Sequence, residues 1–188
     1  MARPLSEEKR QAILASAMTL IAEKGLGAST ADIAKHAGLS TGSLFTYFAT
    51  KAELYNALYL ELKIEIAQAV LAELPAQGDI EAKLYHLWSA WTRWGAAHIV
   101  ARKALAQLTI CDLVTTETRE AGMQAAAPTL EITRQASAQG LMGKAPVHYI
   151  GALVESMANT TMDFMLVDPT RAEEISHSGF LALRQMLT

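Results

Sequence analysis

Residues 29–51, STADIAKHAGLSTGSLFTYFATK, constrain this chain more than any other stretch, because one glycine separates two short apolar-periodic segments, each preceded by hydroxyl residues. That layout predicts two short helices joined by a tight turn, a helix-turn-helix. Ser29 or Thr30 caps the first helix by accepting a backbone N–H, and Asp32 sits where the helix dipole favours negative charge. Ile33, Ala34 and Ala37 face inward, Gly38 supplies the positive φ of a helix end, and Leu39 packs under the turn. Ser40 or Thr41 caps the second helix, in which Leu44 and Phe48, four apart, share a buried face. Thr41, Gly42, Ser43, Phe45, Thr46 and Tyr47 are left to the other faces. Small hydroxyl residues around a glycine let a helix approach a major-groove wall and bond to phosphates and base edges, which makes DNA the leading partner. A plain helical hairpin in an all-α protein is the competing reading of the bare pattern.

The 188 residues suffice for a small DNA-reading module and one larger helical domain. Although 51% of the residues are apolar, no run approaches the roughly 20 apolar residues of a membrane span. The first residues, MARPLSEEKRQ, contain no apolar signal core, so a cytoplasmic protein with no membrane partner is expected. A net charge of −3 taken alone disfavours nucleic acid, but its distribution matters more. Residues 1–51 hold six cations (Arg3, Lys9, Arg10, Lys24, Lys35 and Lys51) against four carboxylates, a balance of +2, and the remainder stands at −5. A mildly basic head on an acidic body suits a DNA binder with a separate second domain.

Elsewhere the chain reads as helix throughout, with no sustained period-two run that predicts a strand. A first helix runs from a Ser6 cap, with Ile13, Leu14, Ala17, Leu20 and Ile21 inward, to a Gly25 stop. Thr50 and Glu53 form a capping box, after which Leu54, Leu58, Leu62, Ile66 and Val70 recur every fourth residue in a long helix that ends before Pro75. The linker PAQGD, residues 75–79, is the clearest boundary, so the expected division is a head over 1–51, a connecting helix over 52–74 and a helical body over 75–188. Body helices are predicted near 80–98, 99–113, 116–142 with a break or kink at Pro128, 146–167 and 170–187, the last behind a Thr170–Glu173 capping box.

Two body features bear on function. Trp88, Trp91 and Trp94 follow at steps of three in YHLWSAWTRWGAAH and spread over one helix side. They are either core, or the lining of a mostly apolar pocket with Met123, Met157 and Phe164 as further walls. With no evident charge cluster there, a neutral or weakly charged lipophilic or aromatic small molecule is the expected effector. The second feature is a stripe that includes Ile150, Gly151, Val154 and Ala158, with Ile175, Gly179 and Leu183 on the last helix, whose small residues allow close helix approach. Burial inside the monomer and contact with a second chain both fit it.

No catalytic constellation stands out. His36, His86, His98, His148 and His177 make no metal-binding spacing, and there is no nucleophile elbow or phosphate-cradling glycine loop, so neither an enzyme nor a cofactor or metal is expected. The single cysteine, Cys111, excludes an intrachain disulfide and a cysteine-based zinc site. A buried inert thiol and a thiol sensor are both readings of it.

The first helix, the phrase TADIAKHAGLSTGSLFTYFATKAEL and the longer all-helical remainder resemble the tetracycline-repressor (TetR) family over about residues 8–60. The glycine turn, the run Leu44–Phe48, and Lys51 with Glu53 and Leu54 behind it carry the resemblance. It implies an all-α fold, an N-terminal three-helix helix-turn-helix domain followed by a helical ligand-binding and dimerisation domain. It also implies that Thr41, Gly42 and Ser43 approach bases or phosphates, that Tyr47 and Lys51 bind phosphates, and that Thr30 holds one at the start of the preceding helix. Phe45 departs from the tyrosine common at its position, so an apolar contact such as a thymine methyl replaces a phosphate bond there. The resemblance further implies a homodimer through the last two helices, on a palindromic operator whose half-sites lie about 34–36 Å apart, released when an inducer favours another spacing. An inducer that weakens operator binding about 100-fold needs roughly 2.7 kcal/mol of differential affinity. The alternative is a helix-turn-helix protein controlled by a protein partner, with no small-molecule pocket.

Overall fold

Orphan backbone N–H groups at helix starts must find acceptors, and in the N-terminal region the hydroxyl residues supply them. The computed structural model describes residues 6–188, so Arg3, counted in the basic balance of the head, lies outside the described residues. Helix α1 (Glu7–Lys24) is capped by Ser6 and closes at Gly25, φ 68°. Helices α2 (Thr30–His36) and α3 (Thr41–Tyr47) follow, then α4 (Lys51–Leu71). Thr50 accepts the Glu53 N–H at 3.0 Å, but the Glu53 carboxylate reaches past it to the Ala49 N–H at 2.9 Å, so the expected box is stretched by one residue.

The remaining helices are α5 (Ile80–Ala97), α6 (Ile99–Thr109), α7 (Thr116–Ala125), α8 (Ala127–Ser137), α9 (Val147–Val167) and α10 (Ala172–Leu187). No strand occurs among the described residues. Three local expectations need correction. Helix α6 stops at Thr109 rather than Leu113, because the Arg119 guanidinium takes the carbonyls of Thr109 and Cys111 at 2.6 and 2.9 Å. The break in the 116–142 segment falls at Ala126, with Pro128 in the first turn of α8, where its missing N–H costs nothing. The Thr170–Glu173 box does not form: Thr170 donates to the Asp168 carboxylate at 2.6 Å, and a short 3-10 turn over Pro169–Arg171 leads into α10.

The chain packs as two compact units, and their boundaries are not the expected linker. One unit comprises the residues up to Lys63 with 99–122, and the other comprises 64–98 with 123–188. In the first, α1 packs on α6, whose Ala101, Ala104 and Leu108 are buried, as are Ile13, Ala17 and Ile21 of α1. The Asn56 side chain brackets the loop after α6, donating to the Leu113 carbonyl at 2.7 Å and accepting the Thr115 N–H at 2.9 Å. Asn56, Leu113 and Thr115, all beyond the predicted head, are thus joined within this unit through an amide that mimics backbone.

The second unit is built on α5, α9 and α10. Trp88, Ile150, Ala158, Met162, Phe180 and Leu183 form its core, and the Trp88 indole N–H donates to the Ser176 carbonyl at 2.8 Å. A Cβ on Gly179 would stand 2.6 Å from both Trp88 and Thr161, so α10 reaches α5 and α9 only because that side chain is absent. The small-residue stripe therefore resolves largely to burial. Ile150, Ala158 and Leu183 are at 2%, 0% and 1% exposure within a single chain and present nothing to a partner. Gly151 faces Leu130, Val154 packs on the same core, and Ile175 is half-buried. Ala158→Leu should accordingly overpack the monomer, lowering its unfolding free energy by about 1–3 kcal/mol. A urea midpoint identical to that of the wild type would place Ala158 outside the core.

Candidate nucleic-acid interface

The turn between α2 and α3 follows from one backbone angle. Gly38 sits at φ +70°, which lets the Leu39 N–H reach back to the Ala34 carbonyl at 2.9 Å and the Gly38 N–H to Lys35 at 3.1 Å. This six-to-one and five-to-two pairing ends α2 and turns the chain. Ser29 rather than Thr30 caps α2, accepting the Asp32 N–H at 3.0 Å, and Ser40 rather than Thr41 caps α3, accepting the Ser43 N–H at 3.1 Å. The hydroxyls of Thr30 and Thr41 are thus free of capping duty. Ile33, Ala34 and Leu44 are at 0% exposure and Phe48 is buried, so the inner faces of both helices are spent on packing.

The outer face of α3 carries Thr41, Gly42, Phe45 and Thr46, all exposed, with Ser43 and Tyr47 half-buried beside them. Nothing stands within 4 Å of a Cβ built on Gly42, so that position opens to whatever the helix meets. Phe45 exposes 41% of its surface, an apolar ring among hydroxyls. The Tyr47 hydroxyl accepts the Ser6 N–H at 3.1 Å, which leaves its own proton available to a further acceptor. Thr30 is half-buried in the first turn of α2.

Lys51 is placed differently from a free phosphate ligand. Its ammonium donates to the Leu26 carbonyl at 2.9 Å and lies 5.1 Å over the Tyr55 ring, leaving two of its three donors. The Tyr55 hydroxyl donates to the same Leu26 carbonyl at 3.3 Å. Burial, with a smaller contribution from Cys111 nearby, pushes the Tyr55 phenol up to about 12, so it remains an O–H donor across the neutral range. Arg10 of α1 pairs with Glu61 of α4 at 3.3 Å and stacks 5.8 Å from the centroid of Phe48. None of these fastenings was apparent from pattern, since each joins residues far apart in sequence. The glycines on either side of Leu26, and the spacing of four between Lys51 and Tyr55, are the only hints the sequence holds.

The expected effector lining is only partly brought together. Trp88 is core, with its N–H satisfied, and Trp91 is half-buried between the main cluster and a smaller one around Val70, Leu87 and Ile132. Met157 packs against the main cluster beside them. Trp94 turns aside: it stacks on His98 at 4.8 Å and donates to Glu65 at 3.3 Å. Met123 and Phe164 are 42% and 60% exposed, which suits a surface rather than an interior wall. A shallow surface groove of about 380 Å³ lies between the start of α5 and α10, lined by Tyr85, Phe180 and Leu181 with the Glu81–Arg184 ion pair at its rim. Cys111 is buried. Among the described residues no cluster of metal-ligating side chains occurs, and no helix is long and apolar enough to cross a membrane.

An all-helical chain with a capped, glycine-turned helix pair presenting hydroxyls and an open glycine belongs to the class of helix-turn-helix DNA-binding regulators. Residues 13–58 match the family described as bacterial regulatory proteins, tetR family. A structure assigned to the same family of transcription regulators, from Shewanella sp. PV-4, is 27% identical and superposes with a TM-score of 0.83 over 93% of this chain and 95% of its own. A TetR-family transcription regulator from Marinobacter aquaeolei VT8 is 22% identical, with a TM-score of 0.79 over 96% of each chain. The TetR-like regulator LfrR from Mycobacterium smegmatis, solved in complex with proflavine, is 17% identical, with a TM-score of 0.70 over 97% of this chain and 98% of its own. The last two likenesses concern the fold. The matched N-terminal segment and the fold are similar to those of TetR-family, DNA-binding transcriptional regulators.

Proposed function

We propose that this regulator is a cytoplasmic, homodimeric repressor that leaves a palindromic operator when its body binds a small lipophilic or aromatic molecule. The observation that carries the DNA half of the reading is the outer face of α3, where Gly42 stands open among exposed Thr41, Phe45 and Thr46. In this reading Thr41, Gly42 and Ser43 meet base edges or phosphates, Phe45 meets a thymine methyl, and Thr30, Tyr47 and a remaining donor of Lys51 meet phosphates. Gly42→Val adds a side chain whose Cβ meets nothing within 4 Å in the protein. It should leave the melting temperature nearly unchanged and weaken binding of a duplex selected by the wild type from a random-sequence pool by about tenfold or more. Unaltered affinity in a gel-shift titration would remove α3 from the groove.

A helix-turn-helix head reads paired half-sites as a dimer. Since Ile150, Ala158 and Leu183 are spent on the monomer core, the dimer is proposed through the apolar residues left outside on the same two helices: Tyr149, Phe164, Val167 and Leu181. Val167, at 80% exposure, is the most open of them. Val167→Asp should shift sedimentation at micromolar concentration from dimer toward monomer while the helical content stays. A monomeric wild type, or a dimer indifferent to a buried carboxylate, contradicts this.

The effector reading is supported by Trp91 and Met157, half-buried residues that line the main cluster without being sealed in it, and by the proflavine complex of LfrR. Tryptophan emission titrated with a panel of lipophilic and aromatic compounds, proflavine among them, should find a ligand that also releases the selected duplex. Trp91→Phe should weaken that ligand and leave ligand-free duplex binding intact. If no compound alters emission or duplex binding, control by a protein partner becomes the better account.

A further inference from the structure

The start of α2, where Thr30 is presented, is capped by Ser29 and anchored by buried Ala28 and Ile33, and its direction is set by the turn before it. It follows a 3-10 turn over Gly25–Gly27, closed at its end by the Ala28 N–H to the Gly25 carbonyl at 3.3 Å. Gly25 lies at φ +68°, and nothing stands near a Cβ on Gly27, so glycine leaves both sides of Leu26 pliable. The far end of α2 is tied to α1 by the contact between His36 and Ser16 at 3.0 Å, but near its start the Lys24–Asp32 pair, exposed and at 4.0 Å, contributes little. Besides packing on α1 and α6, the turn is held by its Leu26 carbonyl, which accepts both the Lys51 ammonium and the Tyr55 hydroxyl from the first turns of α4. A carbonyl has two lone pairs, and here both are used by one helix.

We propose that Lys51 and Tyr55 are positioning residues for DNA binding: by sharing the Leu26 carbonyl they let α4 set the turn that aims Thr30 and the start of α2 at a backbone phosphate. This rests on the reading that the Thr30 face meets DNA. Tyr55, at 0% exposure, touches no DNA itself, so any effect of its hydroxyl on affinity passes through the turn. Lys51 accordingly acts on DNA through Leu26 in addition to whatever its remaining donors reach.

A double-mutant cycle on DNA affinity tests this, using the full chain and the duplex that the wild type recovers from a random-sequence pool. Thr30→Val should weaken wild-type binding about tenfold, the scale of a lost hydrogen bond to a charged group. Tyr55→Phe should weaken it comparably with an unchanged salt slope, because no charge is altered. In the Tyr55→Phe background, Thr30→Val should add no more than about twofold, since the hydroxyl is already misaimed. A general loss of stability would not produce that coupling between a buried phenol and a surface threonine. Additive costs, a Thr30→Val variant that binds normally, or a Tyr55→Phe variant with wild-type affinity would each overturn the proposal. Should circular dichroism show Tyr55→Phe unfolded, the same cycle with Lys51→Met decides: coupling to Thr30 supports positioning, and additivity assigns Lys51 to direct phosphate contact. A wild type that recovers no duplex defeats the DNA reading itself, an outcome distinct from additivity in a protein that binds.

Discussion

Two helices of seven residues each cannot stand alone in water, where a helix shorter than about 12–15 residues is marginal. Everything that presents the outer face of α3 therefore depends on burying the inner faces of α2 and α3 within the head. Ile33 and Leu44 are fully enclosed, and each such side chain contributes roughly 1.5–3 kcal/mol relative to exposure. The Gly38 turn converts that burial into a defined angle, because its two back-bonds leave no slack at the end of α2. Geometry useful for meeting a duplex is here a by-product of packing on the opposite side.

Helix α4 supplies the polar fastenings that hydrophobic burial cannot. Lys51 and Tyr55 hold Leu26, Asn56 holds the loop after α6, and Glu61 holds Arg10, so successive turns of one helix secure different parts of the first unit. Hydrophobic contact is non-directional and tolerates sliding, whereas these bonds fix register. The same helix runs on to Leu71, and its Val70 packs with Leu87 and Ile132 of the second unit. One continuous helix thus contributes residues to both units.

In the second unit, tryptophan is used chiefly as structure. Trp88 fills the centre and satisfies its N–H on Ser176, and Trp94 is occupied by His98 and Glu65. Trp91 alone among the three touches both clusters of that unit without being enclosed by either. The small residues Ala158 and Gly179 let α9, α10 and α5 approach within the monomer, leaving large apolar residues such as Phe164 and Val167 outside.

The sequence by itself determined the local grammar. Ser6, Ser29, Ser40, Thr50, Gly25 and Gly38 mark helix ends through contacts with residues a few positions away, so the helix-turn-helix and the all-α class were legible from spacing. Period and composition cannot say which of several apolar partners a face meets. Ile150, Ala158 and Leu183 read equally well as a monomer core or as a dimer seam, and only the placement of α5 against α9 and α10 decided for the core. Likewise Arg119 ended α6 early, and α6 joined α1 rather than the body, through contacts between residues distant in the chain. That one donor of Lys51 goes to the Leu26 carbonyl, 25 positions away, was likewise invisible in the sequence. Capping is a local bond and shows in local sequence; packing and long-range hydrogen bonds depend on the path of the whole chain, and that path exists only in the tertiary structure.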